Sequence, residues 1–344
     1  MLNNGSCPFS ANKIISFYRD IKQIREGKYP MPRMLSVWLS QVCNLRCPHC
    51  LFKEYNKEAG KFIDAEKFID FIKEIDKLGI EGIELSGGGE PALHPDCYYI
   101  ASYIKSRGIK VGMLTNGTRL DNKAILDNFA YIRVSLDACD KETFNKIKQP
   151  VNDNVFEEVI ENINSLVRDR KSKRPYIGVK VLVSKLNYKT LPNMISFVKS
   201  LKVDYLQFKG SHNTEFDLDQ SEAKEVDNKL DTYKDLLKNS IEDFYITGRV
   251  SRTYSSLKCF TAPTHAVIDS KGNMYICCFF EGRDLCIGNI FKSRFLDIWG
   301  KERHLKLMDS IKPEECNKYI CRWIDYNNYM SNVLDEDLVN ISFI

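Results

Sequence analysis

"QVCNLRCPHC", residues 41–50, sets Cys43, Cys47 and Cys50 at spacings of three and two intervening residues. A structural zinc site closes its tetrahedron with four ligands. Three thiols from one short loop leave a position on the metal centre open, and an open position is where chemistry is done. The residues just upstream, "RMLSVWLSQ" (33–41), read as a strand, so the cysteines occupy the loop at its C-terminal end.

Beyond that loop the chain alternates. Strand patterns fall at 80–87, 109–117, 131–138, 176–184 and 203–210. Helical patterns fall between them, at 64–79, 95–107, about 154–170 and 191–200, the first two running into Gly79 and Gly108. Six strands separated by helices favour a parallel sheet with functional residues on the loops at its C-terminal edge. The expected fold class is α/β, a partial (β/α)6 TIM-like barrel, followed by a small C-terminal α+β domain. The expected divisions are an N-terminal helical extension (1–32), the barrel (33–215), a polar helical connector (216–255) and a cysteine-bearing region (256–344).

Composition excludes little but excludes it clearly. Of 344 residues, 43% are hydrophobic and 28% charged, ordinary for a globular protein, and the net charge of +4 calls for neither nucleic acid nor an acidic membrane as partner. No apolar run has the length of a bilayer span, so a cytoplasmic setting is expected. Twelve cysteines are many for a reducing compartment, which points to metal ligation for some of them and core packing for others.

The spacing C-x3-C-x2-C in "CNLRCPHC" resembles the radical S-adenosylmethionine (SAM) enzymes. That resemblance implies a 4Fe–4S cluster held by Cys43, Cys47 and Cys50, with SAM on the fourth iron and cleaved to a 5′-deoxyadenosyl radical that takes hydrogen from a substrate. A one-electron donor such as flavodoxin or ferredoxin would reduce the cluster. Further motifs follow in the family's order. "LSGGGEP" (85–91) is similar to the family's GGE motif, which implies Gly88, Gly89 and Glu90 at the SAM ammonium. His49 takes the aromatic place before the third cysteine. "TNGT" (115–118) and "VSLDA" (134–138) resemble positions near the SAM ribose and methionine, implying roles for Asn116, Ser135 and Asp137. Lys148 stands where the family usually carries an Arg for the SAM carboxylate, and offers a point charge instead of a fork.

A second cysteine set lies downstream. Cys259, twelve residues, Gly272, four residues and Cys277 resemble the start of the SPASM and twitch extensions, which bind auxiliary iron–sulfur clusters. Cys316 and Cys321 would complete four ligands for a second 4Fe–4S cluster. Cys277 and Cys278 are adjacent and point to opposite faces of a strand, so one of them ligates, and the glycine spacing favours Cys277. Zinc is the alternative occupant of either set, and a metal-binding scaffold without catalysis the alternative function. Cys139, after the fourth strand, is a candidate hydrogen donor to a substrate radical, and Lys209, ending the sixth, a candidate contact for a substrate anion. The expected activity is net two-electron oxidation of a polar small molecule of the sugar or aminocyclitol type. Peptide modification is the second reading.

Overall fold

The computed structural model describes residues 18–53, 62–211, 215–238, 244–251, 258–278, 284–316, 321 and 323–334. All six expected strands form: β1 (Met34–Trp38), β2 (Gly82–Ser86), β3 (Lys110–Thr115), β4 (Tyr131–Ser135), β5 (Tyr176–Val183) and β6 (Tyr205–Gly210). Each pairs in parallel with the next. After a short α1 (Tyr18–Arg25), the helices between strands are α2 (Ala65–Ile75), α3 (Cys97–Ser106), α4 (Asn122–Asn128), α5 (Lys141–Lys148), α6 (Val155–Asp169) and α7 (Leu191–Ser200).

Local chemistry sets these boundaries. Asp64, Asp121 and Asp140 cap α2, α4 and α5, each accepting a hydrogen bond from the backbone N–H three residues on. α2 buries Phe68, Ile69, Phe71, Ile72 and Ile75, the stripe that a helical period produces. The strands' other face turns inward. On β6, Leu206 and Phe208 are buried in the core while Gln207 and Lys209 are half-buried on the cavity wall.

The sheet is larger than the sequence pattern suggests. The connector contains a long helix, α8 (Gln220–Lys238), but also β7 (Tyr245–Thr247), which adds to β6 in parallel. Past it, β8 (His265–Ile268) pairs in parallel with β1, and β9 (Asn273–Tyr275) and β10 (Cys286–Asn289) continue antiparallel. The order is β10-β9-β8-β1-β2-β3-β4-β5-β6-β7, an open mixed sheet whose two end strands do not meet. The C-terminal hairpin is thus an extension of the barrel sheet, not a separate one. β1 explains this: Leu35, Ser36 and Val37 are wholly buried, and a buried strand cannot leave one side of its backbone unpaired. Two short helices follow, α9 (Phe295–Ile298) and α10 (Glu302–Asp309), divided at Gly300, whose φ of 74° ends the first. α11 (Pro313–Cys316) and α12 (Ile324–Leu334) complete the described chain. No described helix is long and apolar enough to cross a membrane.

Candidate active site

The loops after β1, β2 and β3 are stitched into one surface. Gly89 N–H donates to the Ser40 carbonyl at 2.7 Å, and Glu90 N–H to the Val42 carbonyl at 2.8 Å. A Cβ on Gly89 would stand 2.2 Å from the Val42 oxygen, so only glycine permits this approach. The far end of the cysteine loop is fixed from α5: Arg46 N–H donates to the Lys148 carbonyl at 3.0 Å, and Leu45 bridges to Pro150. Cys43, Cys47 and Cys50 all face one cavity of about 760 Å³, which Gly88, Gly89, Glu90, Asn116, Ser135, Lys148 and Lys209 also line.

Glu90 is 2% exposed. Its carboxylate accepts from Thr115 Oγ1 at 2.6 Å, Asn116 N–H at 2.6 Å and Ala92 N–H at 3.1 Å. Burial pushes its pKa up to about 7, against the opposing pull of those donors. A carboxylate has about four lone-pair sites, so three donors leave room for one more, from a ligand. Asn116 Nδ2 donates to Asn44 Oδ1 at 2.8 Å and lies 3.9 Å from Cys43 Sγ, while its Oδ1 accepts from Thr118 N–H and Oγ1. Asn44 Nδ2 donates back to Thr118 Oγ1 at 2.9 Å. Asn44 and Thr118 are therefore part of the loop's support. Sequence reading passed over both, although Asn44 sits beside a ligating cysteine and Thr118 ends the quoted "TNGT".

Lys148 and Asp137 form a buried pair, Nζ to Oδ2 at 2.5 Å, with side chains 4% and 1% exposed. Burial works against each charge, yet each partner holds the other charged: Asp137 lies below and Lys148 above its ordinary range. Asp137 takes a left-handed backbone, φ 62°, and its Oδ1 accepts from Leu182 N–H at 2.6 Å. Asp137 therefore ties β4 to β5 and is not among the residues lining the cavity. His49 is likewise outside the lining, with Nε2 4.0 Å from Asp137. Burial lowers the His49 pKa to about 4, so the ring is neutral at pH 7, and its Nδ1 has no hydrogen-bond partner. Both were expected at the cofactor. The structure places both outside the cavity lining, with Asp137 paired to Lys148 and His49 beside Asp137. Cys139 sits next to Asp140, its Sγ 3.9 Å from Oδ2, and is also outside the cavity lining.

The first cysteine set fits an iron–sulfur cluster. Burial raises the Cys47 thiol to about 12 before any metal is considered, and Lys148 opposes this with a positive charge beside it. In a 4Fe–4S cluster each thiolate meets a different iron.

The second set is assembled from three parts of the chain. Burial raises the Cys321 thiol, and the thiols whose charges then bear on it are Cys259, Cys278 and Cys316. Cys278, not Cys277, follows Met274 and Ile276 on the core face and lines the large cavity. Strand alternation explains the difference, since Cys277 shares the face of Tyr275. Asn327 on α12 pins the segment after Cys259. Wholly buried, its Oδ1 accepts from Phe260 N–H at 2.7 Å and Thr261 N–H at 3.0 Å. Nothing in the local sequence marks Asn327 for that task.

Geometry and comparison agree on the class. The sequence matches the Radical SAM superfamily over residues 39–198 and the SPASM iron–sulfur cluster-binding domain over 259–322. The chain therefore carries a radical SAM domain followed by a SPASM domain, and with them come 4Fe–4S clusters and SAM as cofactors. The zinc and scaffold alternatives give way to that match. Among curated relatives it is 31% identical over 183 residues to the tungsten-containing aldehyde ferredoxin oxidoreductase cofactor-modifying protein of Pyrococcus furiosus, covering 50% of this chain and 49% of that one. It is 27% identical to the GTP 3′,8-cyclase of Haemophilus influenzae, covering 83% of this chain and 93% of the relative. With the first two curated relatives the match spans under half of their length, 49% and 44%. Among solved structures, Streptococcus suis SuiB bound to precursor peptide SuiA superposes with a TM-score of 0.68 at 16% identity, covering 96% of this chain and 80% of that one, a likeness of fold.

Proposed function

We propose that this radical SAM enzyme carries out net two-electron oxidation of a polar small molecule of the sugar type. One observation carries the reading: a single cavity has the three-cysteine loop on one wall and Cys278 of the second cysteine region on another. A substrate held there lies between two redox sites. When bound, the cofactors supply reductive SAM cleavage at the first site and an electron acceptor at the second. The chain supplies the rest. Cys43, Cys47 and Cys50 hold the first cluster, and Cys259, Cys316 and Cys321 with Cys277 or Cys278 hold the other. Glu90 takes the SAM ammonium, and Ser135 with Lys148 faces the carboxylate end. Gln41 supports a polar ligand: it is 1% exposed, borders the cavity, and neither its amide oxygen nor its nitrogen has a partner. Flavodoxin or ferredoxin would be the one-electron donor.

Peptide modification is the second reading. It is supported by the likeness to SuiB, crystallised with its precursor peptide, and by a relative, the mycofactocin maturase MftC of Mycobacterium tuberculosis, 27% identical over 134 residues. The test is anaerobic reconstitution, reduction with dithionite, and mass spectrometry on candidate sugars and on short peptides encoded beside the gene. 5′-Deoxyadenosine with a product two hydrogens lighter fits the proposal. No 5′-deoxyadenosine sinks it, and a product of unchanged mass replaces oxidation with epimerisation.

A further inference from the structure

The cavity wall has two parts. The part built by the ends of β1, β2 and β3 carries the three cysteines, Arg46, Lys53, Glu90 and Asn116. The part built by β4, β5 and β6 carries Arg133, Lys180, Gln207 and Lys209. Across the whole lining, basic side chains outnumber the single acid, Glu90. We propose that the β4–β6 half is a substrate oxyanion site, in which Lys180 and Lys209, backed by Arg133, bind a carboxylate or phosphate of the substrate. The proposal deepens the oxidation of a polar small molecule and rests on that reading for the identity of the second ligand in the cavity.

The strand register makes this a built surface. β5 and β6 pair in parallel with Lys180 opposite Gln207 and Leu182 opposite Lys209. Ser135 on β4 lies opposite Lys180. The three polar residues nearest the centre are thus neighbours across adjacent strands, about 5 Å apart. Arg133 forms the floor. It is 8% exposed, lies between the rings of Tyr131 and Tyr205 at 5.3 and 5.6 Å, and donates from Nε to Tyr205 Oη at 3.1 Å. Tyr205 reaches across the barrel because β5 has Gly178 opposite it, where a Cβ would stand 2.2 Å from the ring. The Glu84 carboxylate also bears on this guanidinium, so Arg133 backs the wall mainly through its fixed position.

A second observation points to a ligand independently. Gln207 Oε1 is buried and has no hydrogen-bond partner. It is an acceptor, so it asks for a donor. A ligand that satisfies the wall therefore has an oxyanion for the lysines and a hydroxyl or amine within about 5 Å of it for Gln207, the spacing of adjacent strands. A phosphorylated or carboxylated sugar has both. A simple aminocyclitol, cationic at neutral pH, meets like charge and is disfavoured. Anchoring the anion at β5 and β6 turns the rest of the molecule toward the cysteine loop, where hydrogen is to be removed.

The experiment is isothermal titration of the reconstituted protein with two probes, inorganic phosphate and acetate, in low-salt buffer. Each is compared in the wild type, Lys209→Gln, Lys180→Gln, and the conservative Lys209→Arg. Lys123→Gln, on the outer side of α4, is the control. The expected result is saturable binding of one probe or both. Either glutamine variant weakens it by roughly tenfold to a hundredfold, the value of a charge-assisted hydrogen bond, while the arginine variant and the control retain it. Phosphate preferred over acetate assigns a phosphorylated substrate, and the reverse a carboxylate. Binding of neither probe overturns the site, as does binding that survives the double Lys180→Gln, Lys209→Gln variant. 5′-Deoxyadenosine formation is read in parallel on the wild type. Its absence with the anion binding intact would remove the proposed reaction and leave the anion site standing.

Discussion

The two cysteine regions solve one problem in opposite ways. Cys43, Cys47 and Cys50 come from eight consecutive residues, and the scaffold around them comes from elsewhere: backbone from the β2 loop, an amide from the β3 loop, and the carbonyl of Lys148 from α5. Cys259, the Cys277–Cys278 pair, and Cys316 with Cys321 come from three parts of the chain, and much of what positions the first is one side chain, Asn327. In the first region the ligands are local and the support is distant. In the second the ligands themselves are distant. A site of the first kind announces itself in sequence; a site of the second kind depends on a fold being complete.

The largest expected effect separates the regions outright. Changing Cys43, Cys47 and Cys50 to Ala abolishes SAM cleavage and lowers iron from about eight to about four per chain. If iron falls to zero, the second site does not assemble alone and the contrast fails. Single changes of Cys277 and Cys278 to Ala sharpen the other side, since iron content identifies the ligand that geometry and glycine spacing assign differently.

Next comes the support of the first loop. Lys148→Ala leaves Asp137 buried without its partner and costs on the order of 3–5 kcal/mol in thermal or urea unfolding. A loss below 1 kcal/mol would mean that Asp137 reaches water and that the pair is not a pillar of the loop.

The pH dependence of the same region follows from Glu90. Its folded pKa, raised to about 7, exceeds its ordinary value of 4.5. Between those values the folded state holds a proton that the unfolded state has released, so Glu90 makes stability fall as pH rises through that window. Full ionisation costs on the order of 3 kcal/mol above pH 7. Glu90→Gln in the apoprotein should flatten that slope in unfolding measured from pH 4 to 8, and SAM should flatten it in the wild type by pairing its ammonium with the carboxylate. An unchanged slope in the variant would take Glu90 out of the titration.

The smallest effect is expected in the second region. Asn327→Ala strips the acceptor from two buried backbone N–H groups, at about 1–3 kcal/mol. Iron bound by the C-terminal cysteines should fall while the first cluster and SAM cleavage persist. Equal loss from both sites would show that the regions are not supported separately.

Legibility followed the same division. The six central strands carry their pattern in four to eight contiguous residues, and the cysteine loop, Glu90 and Asn116 could be placed because each closely follows one of them. Asp137 and His49 were expected at the cofactor from their place in a motif, whereas Asp137 turns to Leu182 and Lys148, and His49 to Asp137, all on other elements. Position in a motif does not say which way a side chain turns. β7 has three residues and no period to detect. β8 falls in the region expected to be a separate C-terminal domain, because its hydrogen bonds to β1 cross more than two hundred residues and no local rule reaches that far.

That pairing governs the order in which the chain is finished during synthesis. β1 is made early, but its second neighbour is β8, with Leu35 opposite Ala266 and Val37 opposite Ile268. Until β8 leaves the ribosome, β1 has an open apolar edge beside the cysteine loop. Contacts of such separation form late, and unpaired edges are where nascent chains aggregate. A fragment ending at the connector would leave that edge of β1 without its β8 partner.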